Sequence, residues 1–358
     1  LERGPVVRAL LFGRGAGKAQ RLVLVVHHLA VDVFSWSVLL GDLETALGQI
    51  ARGEPVALEP ATTPSGEWAQ RLASYARTDA ARREAPRWLA LEGEDVRPLP
   101  RDHAAGRNAE ADDAFVDVEL DAPDTLALLE DAPRRLGSQA NDVLLAALRR
   151  TLTAWAGGAV MADLEGHGRE DLFADADLSR TVGWFTAIHP FALRPDAGGA
   201  AERAVTRVRD RLRAIPSGGV GFGVLRHLGA DAAVARRLRA LPAAEVLFLY
   251  VGKHMAGGGG GLFGSPADAP LGPVRSPRAL RSHLLEVTCG VSGGRLGVRF
   301  RYSAAVHDCA TIAGLAGHFL AHVRELARPA VPHRVAVRTN LVGAGAGDSW
   351  FMMNEEAQ

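Results

Sequence analysis

Cysteine is nearly missing from this chain: Cys289 and Cys309 are the only two in 358 residues. Two cysteines cannot supply a disulfide framework, and neither has the paired spacing of a zinc site, so a reducing cytoplasmic setting is expected. Lysine is nearly missing too, with Lys18 and Lys253 against an excess of arginine, which reads as coding bias and not as recognition. Neither sign of charge dominates, because 41 basic residues balance 41 acidic ones. No whole-molecule field therefore favours nucleic acid or an anionic membrane as a partner. No apolar run is long enough to span a bilayer, and Leu1-Glu2-Arg3-Gly4-Pro5 lacks the layout of a signal peptide. Leu1 is not an initiator methionine, which fits a piece excised from a longer polypeptide.

What is present is apolar mass: 47% of the residues are hydrophobic, enough for two lobes with sizeable cores. Residues 21–26 form a short unbroken apolar run that predicts a strand buried on both faces, delivering His27 and His28 to its end. Trp36, Leu39, Leu40, Leu43 and Leu47 then recur at helical spacing, with Ser35 placed to cap the helix. Residues 51–64 read as a connector and 68–91 as one or two helices. The proline-bearing, charged stretch 97–113 is the expected linker between lobes. Beyond it, 115–120 alternates like a half-buried strand, Asn141-Asp142 opens an apolar helix, and 160–164 reads as a strand ending at Glu165. Residues 246–251 and 296–302 read as strands and 312–326 as an amphipathic helix, an α+β pattern. Gly257 to Gly261 reads as a flexible loop and 330–358 as a tail or an edge segment.

Three runs carry chemistry. Glu165-Gly166-His167-Gly168-Arg169-Glu170 sets a carboxylate, an imidazole and a guanidinium around two glycines that let backbone come close. Val26-His27-His28-Leu29-Ala30-Val31-Asp32 places two histidines where extended geometry sends them to opposite sides, one toward a cavity and one into structure. Asp32 can orient an imidazole or pair with an arginine, and Arg169 can answer it. Taken alone, a paired histidine reads as packed or metal-bound, and a lone glutamate at a strand end as a solvated acid. His167 can face the cavity or simply pack. The run Arg180-Thr181-Val182-Gly183-Trp184-Phe185-Thr186 reads as scaffold with a close backbone approach at Gly183, and Tyr250 as a packed tyrosine unless its hydroxyl reaches the cavity.

Together these runs, with 141–147, 216–225 and 248–252, resemble the epimerization domains of nonribosomal peptide synthetases, members of the condensation superfamily. That resemblance implies two chloramphenicol acetyltransferase-like lobes around a central channel, the first incomplete: 1–105 a partial N-terminal lobe, 106–332 a C-terminal lobe, and 333–358 a tail of unclear role. It implies an isomerase of antibiotic-type secondary metabolism that inverts Cα of an aminoacyl or peptidyl thioester. The substrate would ride on the 4'-phosphopantetheine of a peptidyl carrier protein, beside neighbouring synthetase domains, with no cofactor bound directly and no metal. His28, Glu165 and Tyr250 are the implied catalytic residues, supported by His27, Asp32, Arg169, His167, Ser35 and Trp36. The alternatives are a peptide-bond-forming condensation domain, for which an acid opposite His28 is unnecessary, and a silent docking domain for a carrier protein. Val33 stands where the family usually has a small residue, and Leu249 replaces the asparagine common before the tyrosine.

Overall fold

Alternation decides the sheet. The computed structural model describes residues 3–196, 201–252, 275–328 and 336–340. Its strands are β1 (Val7–Phe12), β2 (Arg21–Val26), β3 (Asp113–Glu119), β4 (Val160–Gly166), β5 (Ala187–Leu193), β6 (Val246–Tyr250), β7 (Leu285–Ser292), β8 (Arg295–Ser303) and β9 (Ala336–Asn340). The last seven form one sheet in the order β5-β4-β6-β7-β8-β3-β9, in which β4, β6 and β7 run parallel and the other neighbours antiparallel.

On one face of that sheet Val160, Ala162 and Leu164 of β4 join Val246 and Phe248 of β6, Val287 and Cys289 of β7, and Phe300 and Tyr302 of β8 in a single core. The helices Ala140–Ala156 and Cys309–Ala327 cover this face with Leu144, Leu148, Phe319 and Leu320, which bury their side chains completely. Burying side chains of this size contributes about 1.5–3 kcal/mol each. The first helix opens with a capping box between Gln139 and Asp142 and closes on Gly157 in the left-handed region.

The opposite face is charged. Arg301 meets Asp113 at 2.7 Å and Glu110 at 3.2 Å, Arg281 meets Glu286 at 3.0 Å, and Arg275 meets Glu110 at 2.7 Å. Nearer the site, the imidazole of His283 lies 2.9 Å from Asp163 of β4. Because side chains alternate along a strand, Asp163 and Glu165 share this polar face while Leu164 enters the core.

The strand expected over 21–26 forms, but it is not buried. Among the described residues its only partner is β1 and no layer covers this two-stranded ribbon, so Leu22 and Val25 are exposed, as are Leu10, Leu11 and Phe12 on β1. The following helix, Val33–Ala51, has Ser35 as its sole buried residue. Residues 65–93 and the stretch after them pack against the large sheet. Trp88 joins Phe222, Leu225 and Leu238 in a second cluster, the Arg97 amide donates to the Ala159 carbonyl, and Leu99 is buried. The stretch expected as a linker is thus held at several points, by Arg97, by the buried Leu99, by the His103 amide on the Val306 carbonyl and by the Glu110 amide on the Ala279 carbonyl. The edge segment expected in 330–358 appears at 336–340 as β9 on β3, whereas the glycine loop 257–261 lies outside the described residues.

Candidate functional site

Two loops of similar construction follow β2 and β4. In the first, His27 caps a 3-10 turn over His28–Ala30, its Nδ1 accepting the Leu29 amide at 3.1 Å. In the second, His167 Nδ1 accepts the Arg169 amide at 3.0 Å, and the ring stays exposed with Glu170 at 3.7 Å. Each imidazole therefore holds its own turn. His28 is half-buried, and its Nδ1 is buried with no hydrogen-bond partner among the described residues.

Asp32, not Ser35, caps the helix Val33–Ala51, because the Asp32 carboxylate accepts the Ser35 amide at 2.7 Å. Ser35 instead lies in the first turn with its hydroxyl turned inward and fully buried. That hydroxyl is 2.7 Å from Asp32 Oδ1 and 2.9 Å from the Gly183 carbonyl, and it accepts the Gly183 amide at 3.1 Å. Trp36, the next residue, stays half-buried on the same helix.

Arg169 closes the arrangement. Its Nη2 donates to Asp32 Oδ1 at 3.0 Å, to Oδ2 at 3.1 Å and to Ser35 Oγ at 3.0 Å. Its Nη1 donates to the carbonyls of Leu178 and Thr181 at 2.8 and 2.7 Å. The guanidinium carbon also lies 4.7 Å from the centroid of the Phe34 ring and 4.2 Å from that of the Phe185 ring, distances favourable for a cation on aromatic faces. Both members of the ion pair are buried, which costs desolvation and is offset by this density of charge-assisted bonds. The strut expected between Asp32 and Arg169 is present.

Gly168 is required in this loop. It adopts φ +63°, and a Cβ there would stand 1.7 Å from the Phe185 carbonyl oxygen. Gly166 is different: a Cβ would meet nothing nearer than 3.9 Å, so only one of the two glycines serves close approach. Gly183 does serve it, with Phe185 and Ser65 at 2.8 and 3.0 Å from an added Cβ.

Glu165 stands at the end of β4, half-buried, flanked in register by Ile188 of β5 and Leu249 of β6. Tyr250 is one residue beyond Leu249 and turns the other way. It packs against the core with Phe248 and is paired in register with the buried Cys289. Burial, with Cys289 beside it, pushes the tyrosine hydroxyl up to about 12. The structure thus joins His28, Asp32, Ser35, Arg169 and the start of the Glu165 loop, and leaves Tyr250 on the far face of the sheet from Glu165.

The residue that sequence reading undervalued is Trp184. Taken as scaffold, it lies with its ring centroid 5.0 Å from that of His28 and the planes at 59°. Its neighbours explain the placement: Gly183 is bound to Ser35 on both backbone groups, and the Phe185 amide donates to Asp32 at 3.3 Å. No group of His, Cys, Asp and Glu able to hold a metal occurs among the described residues, and none of their helices is long and apolar enough to cross a membrane.

The seven-stranded sheet, with two loops joined by a buried ion pair beside it, defines a class. Residues 1–334 match the Condensation domain family, and the chain belongs to it. Within that family the structure superposes on the crystal structure of the epimerization domain from the third module of tyrocidine synthetase B with a TM-score of 0.81. The two are 30% identical, over 90% of this chain and 72% of that one. The X-domain from teicoplanin biosynthesis shares the fold at a TM-score of 0.66 and 21% identity, over 91% of this chain and 73% of the other. In sequence, the chain is 40% identical over 336 residues to the chondramide synthase of Chondromyces crocatus, covering 92% of this chain and 8% of that protein. The chain therefore spans a small part of the curated relative it matches.

Proposed function

We propose that this chain inverts the Cα configuration of an aminoacyl or peptidyl group held as a thioester on the phosphopantetheine arm of a peptidyl carrier protein, as one domain of a nonribosomal peptide synthetase. One observation carries the reading. The buried ion pair joins Asp32, four residues after His28, to Arg169, four residues after Glu165. Four residues of chain reach at most roughly 14 Å, so the pair ties an imidazole and a carboxylate to the same small region from two separate loops.

That pairing suits the reaction. A thioester acidifies the α-proton, yet removing it at neutral pH needs a positioned base, and inversion needs a proton delivered to the opposite face. Of His28 and Glu165, one takes the proton while the other returns one, with roles exchanged in the reverse direction. The apolar neighbours Ile188 and Leu249 flank Glu165 and help keep water from the intermediate. Simple acyl transfer to an amine has no need of the second group. The chain's partners on this reading are the carrier protein and the adjoining synthetase domains, and the arm enters as part of the substrate.

The test loads a carrier protein with an α-deuterated L-aminoacyl thioester and follows deuterium loss and D-product. The wild-type chain is expected to release deuterium with inversion, and Glu165→Gln to lose both. Amide formation with an added acceptor, or full exchange by Glu165→Gln, overturns the assignment.

A further inference from the structure

An imidazole that exchanges protons is usually aimed by a hydrogen bond on its second nitrogen, often from a carboxylate. His28 is not. Its Nδ1 is buried with no hydrogen-bond partner among the described residues, which leaves Nε2 as the nitrogen that can meet substrate. Asp32, four residues on, is committed elsewhere: Oδ1 accepts from the Ser35 amide and Arg169, and Oδ2 from Arg169 and the Phe185 amide. We infer that Trp184 takes the place of the carboxylate, as a positioning residue whose indole ring fixes the imidazole of His28; the inference rests on the epimerization reading above. The two ring centroids lie 5.0 Å apart with the planes at 59°. Packing at that distance restricts rotation of the imidazole about its side-chain bonds, which the backbone of the turn His28–Ala30 does not.

A packed ring can aim its neighbour only if it is itself held. Gly183 donates its amide to Ser35 Oγ at 3.1 Å and accepts from the same hydroxyl at 2.9 Å, and the Phe185 amide donates to Asp32 Oδ2 at 3.3 Å. Trp184 is therefore fixed through the residue before it and the residue after it, by two side chains at the start of the helix Val33–Ala51. Phe185 is in turn buried with Trp68 and Leu178 and lies against the Arg169 guanidinium. The strut that joins the two loops thus also carries the ring that aims His28. The consequence for the reaction is geometric. One face of Cα must meet Nε2 while the other is served by Glu165, and misplacement by about 1 Å can cost about a hundredfold in rate. Trp184 touches neither the proton nor the thioester in this account; it acts through His28.

Trp184→Leu removes the aromatic ring and keeps apolar bulk. It is expected to lower kcat for α-deuterium loss by about ten- to a hundredfold with KM for the loaded carrier little changed, and Trp184→Phe, which restores a ring, to recover most of that loss. In a His28→Ala background Trp184→Leu should slow the residual exchange no further, because a residue acting through His28 has nothing left to position. Exchange by Trp184→Leu at the wild-type rate, or a fall of the same size in both backgrounds, would overturn the inference. A second measurement uses the wild-type chain and is independent of any variant's folding. Nuclear Overhauser contacts between the Trp184 indole and His28 imidazole protons are followed as carrier protein bearing an amide-linked, unreactive aminoacyl arm is added. Contacts that persist at saturation support the positioning, and their absence in the bound state rejects it. A wild-type chain that exchanges no deuterium instead ends the epimerization reading, and with it the role of Trp184.

Discussion

Asp32 and Arg169 meet at 3.0 Å with about a twentieth of each side chain exposed, and each lies four residues past a candidate acid/base group. One ion pair thereby sets the relation between two loops that are 137 residues apart in the chain. Because it is buried, removing one partner leaves the other charge without compensation.

Asp32→Ala is therefore expected to destabilise the chain by about 3–5 kcal/mol, the range for breaking a buried pair, besides deleting the cap of the helix Val33–Ala51. Arg169→Lys keeps the charge but not the planar fork that reaches Asp32, Ser35 and two carbonyls together, so it too should lose stability and exchange activity. Chemical denaturation midpoints check both. An Asp32→Ala midpoint equal to wild type would show that the pair does not hold the loops.

The two glycines of the second loop should part company. Gly168→Ala meets a carbonyl oxygen at 1.7 Å in a left-handed backbone and must displace either its own loop or the Phe185 segment. Gly166→Ala meets only ordinary van der Waals contacts, at 3.9 and 4.0 Å, and should cost no more than about 1 kcal/mol. Thermal melts of the two variants, measured together, give the contrast. Equal losses would mean that the close approach to Phe185 is not what constrains the loop.

Much of this arrangement was legible in the sequence because it is local. Alternation over 115–120 and the apolar register of 160–164 place β3 and β4, and Asn141-Asp142 marks the start of the helix Ala140–Ala156 to within a turn, although the cap is Gln139 and Asn141 lies inside the helix. The Asp32–Arg169 strut was reachable because opposite charges beside two candidate loops suggest one another. Three things were not legible. The burial of 21–26 depends on which layers cover the strand, and period cannot report that. Capping by Asp32 instead of Ser35 turns on where the helix begins, at Val33 and not nearer Trp36. Trp184 meets His28 only because a segment without regular structure crosses back over the first loop, and no spacing rule encodes such a crossing.

Tyr250 offers a sharp discrimination. If the sheet face decides its role, Tyr250→Phe should leave deuterium loss within about threefold of wild type, far from the hundredfold that loss of an oxyanion donor brings. Single-turnover exchange on the loaded carrier measures it directly. A hundredfold loss in a variant that melts like wild type would return the tyrosine to the site.

His189 should give the chain an acid-side weakness of defined origin. Its ring is buried against Trp88 at 5.6 Å, with Gly219 so close that an added Cβ would enter the imidazole. Burial lowers its affinity for a proton. The nearby Asp163 pulls the other way and Arg87 adds to the lowering, and burial prevails. In the unfolded chain the same imidazole protonates near its ordinary value of about 6.5. Between that value and the lower native one the unfolded state binds more protons, so stability is full above about pH 6.5 and falls as the pH drops through it. His307 and His322 are lowered by burial in the same direction and steepen the fall. Melting midpoints from about pH 8 down to about pH 5.5 should therefore decline for the wild type and decline less for His189→Asn, whatever the offset between the two at high pH. Parallel curves for the two proteins would show that His189 is not a source of the acid sensitivity.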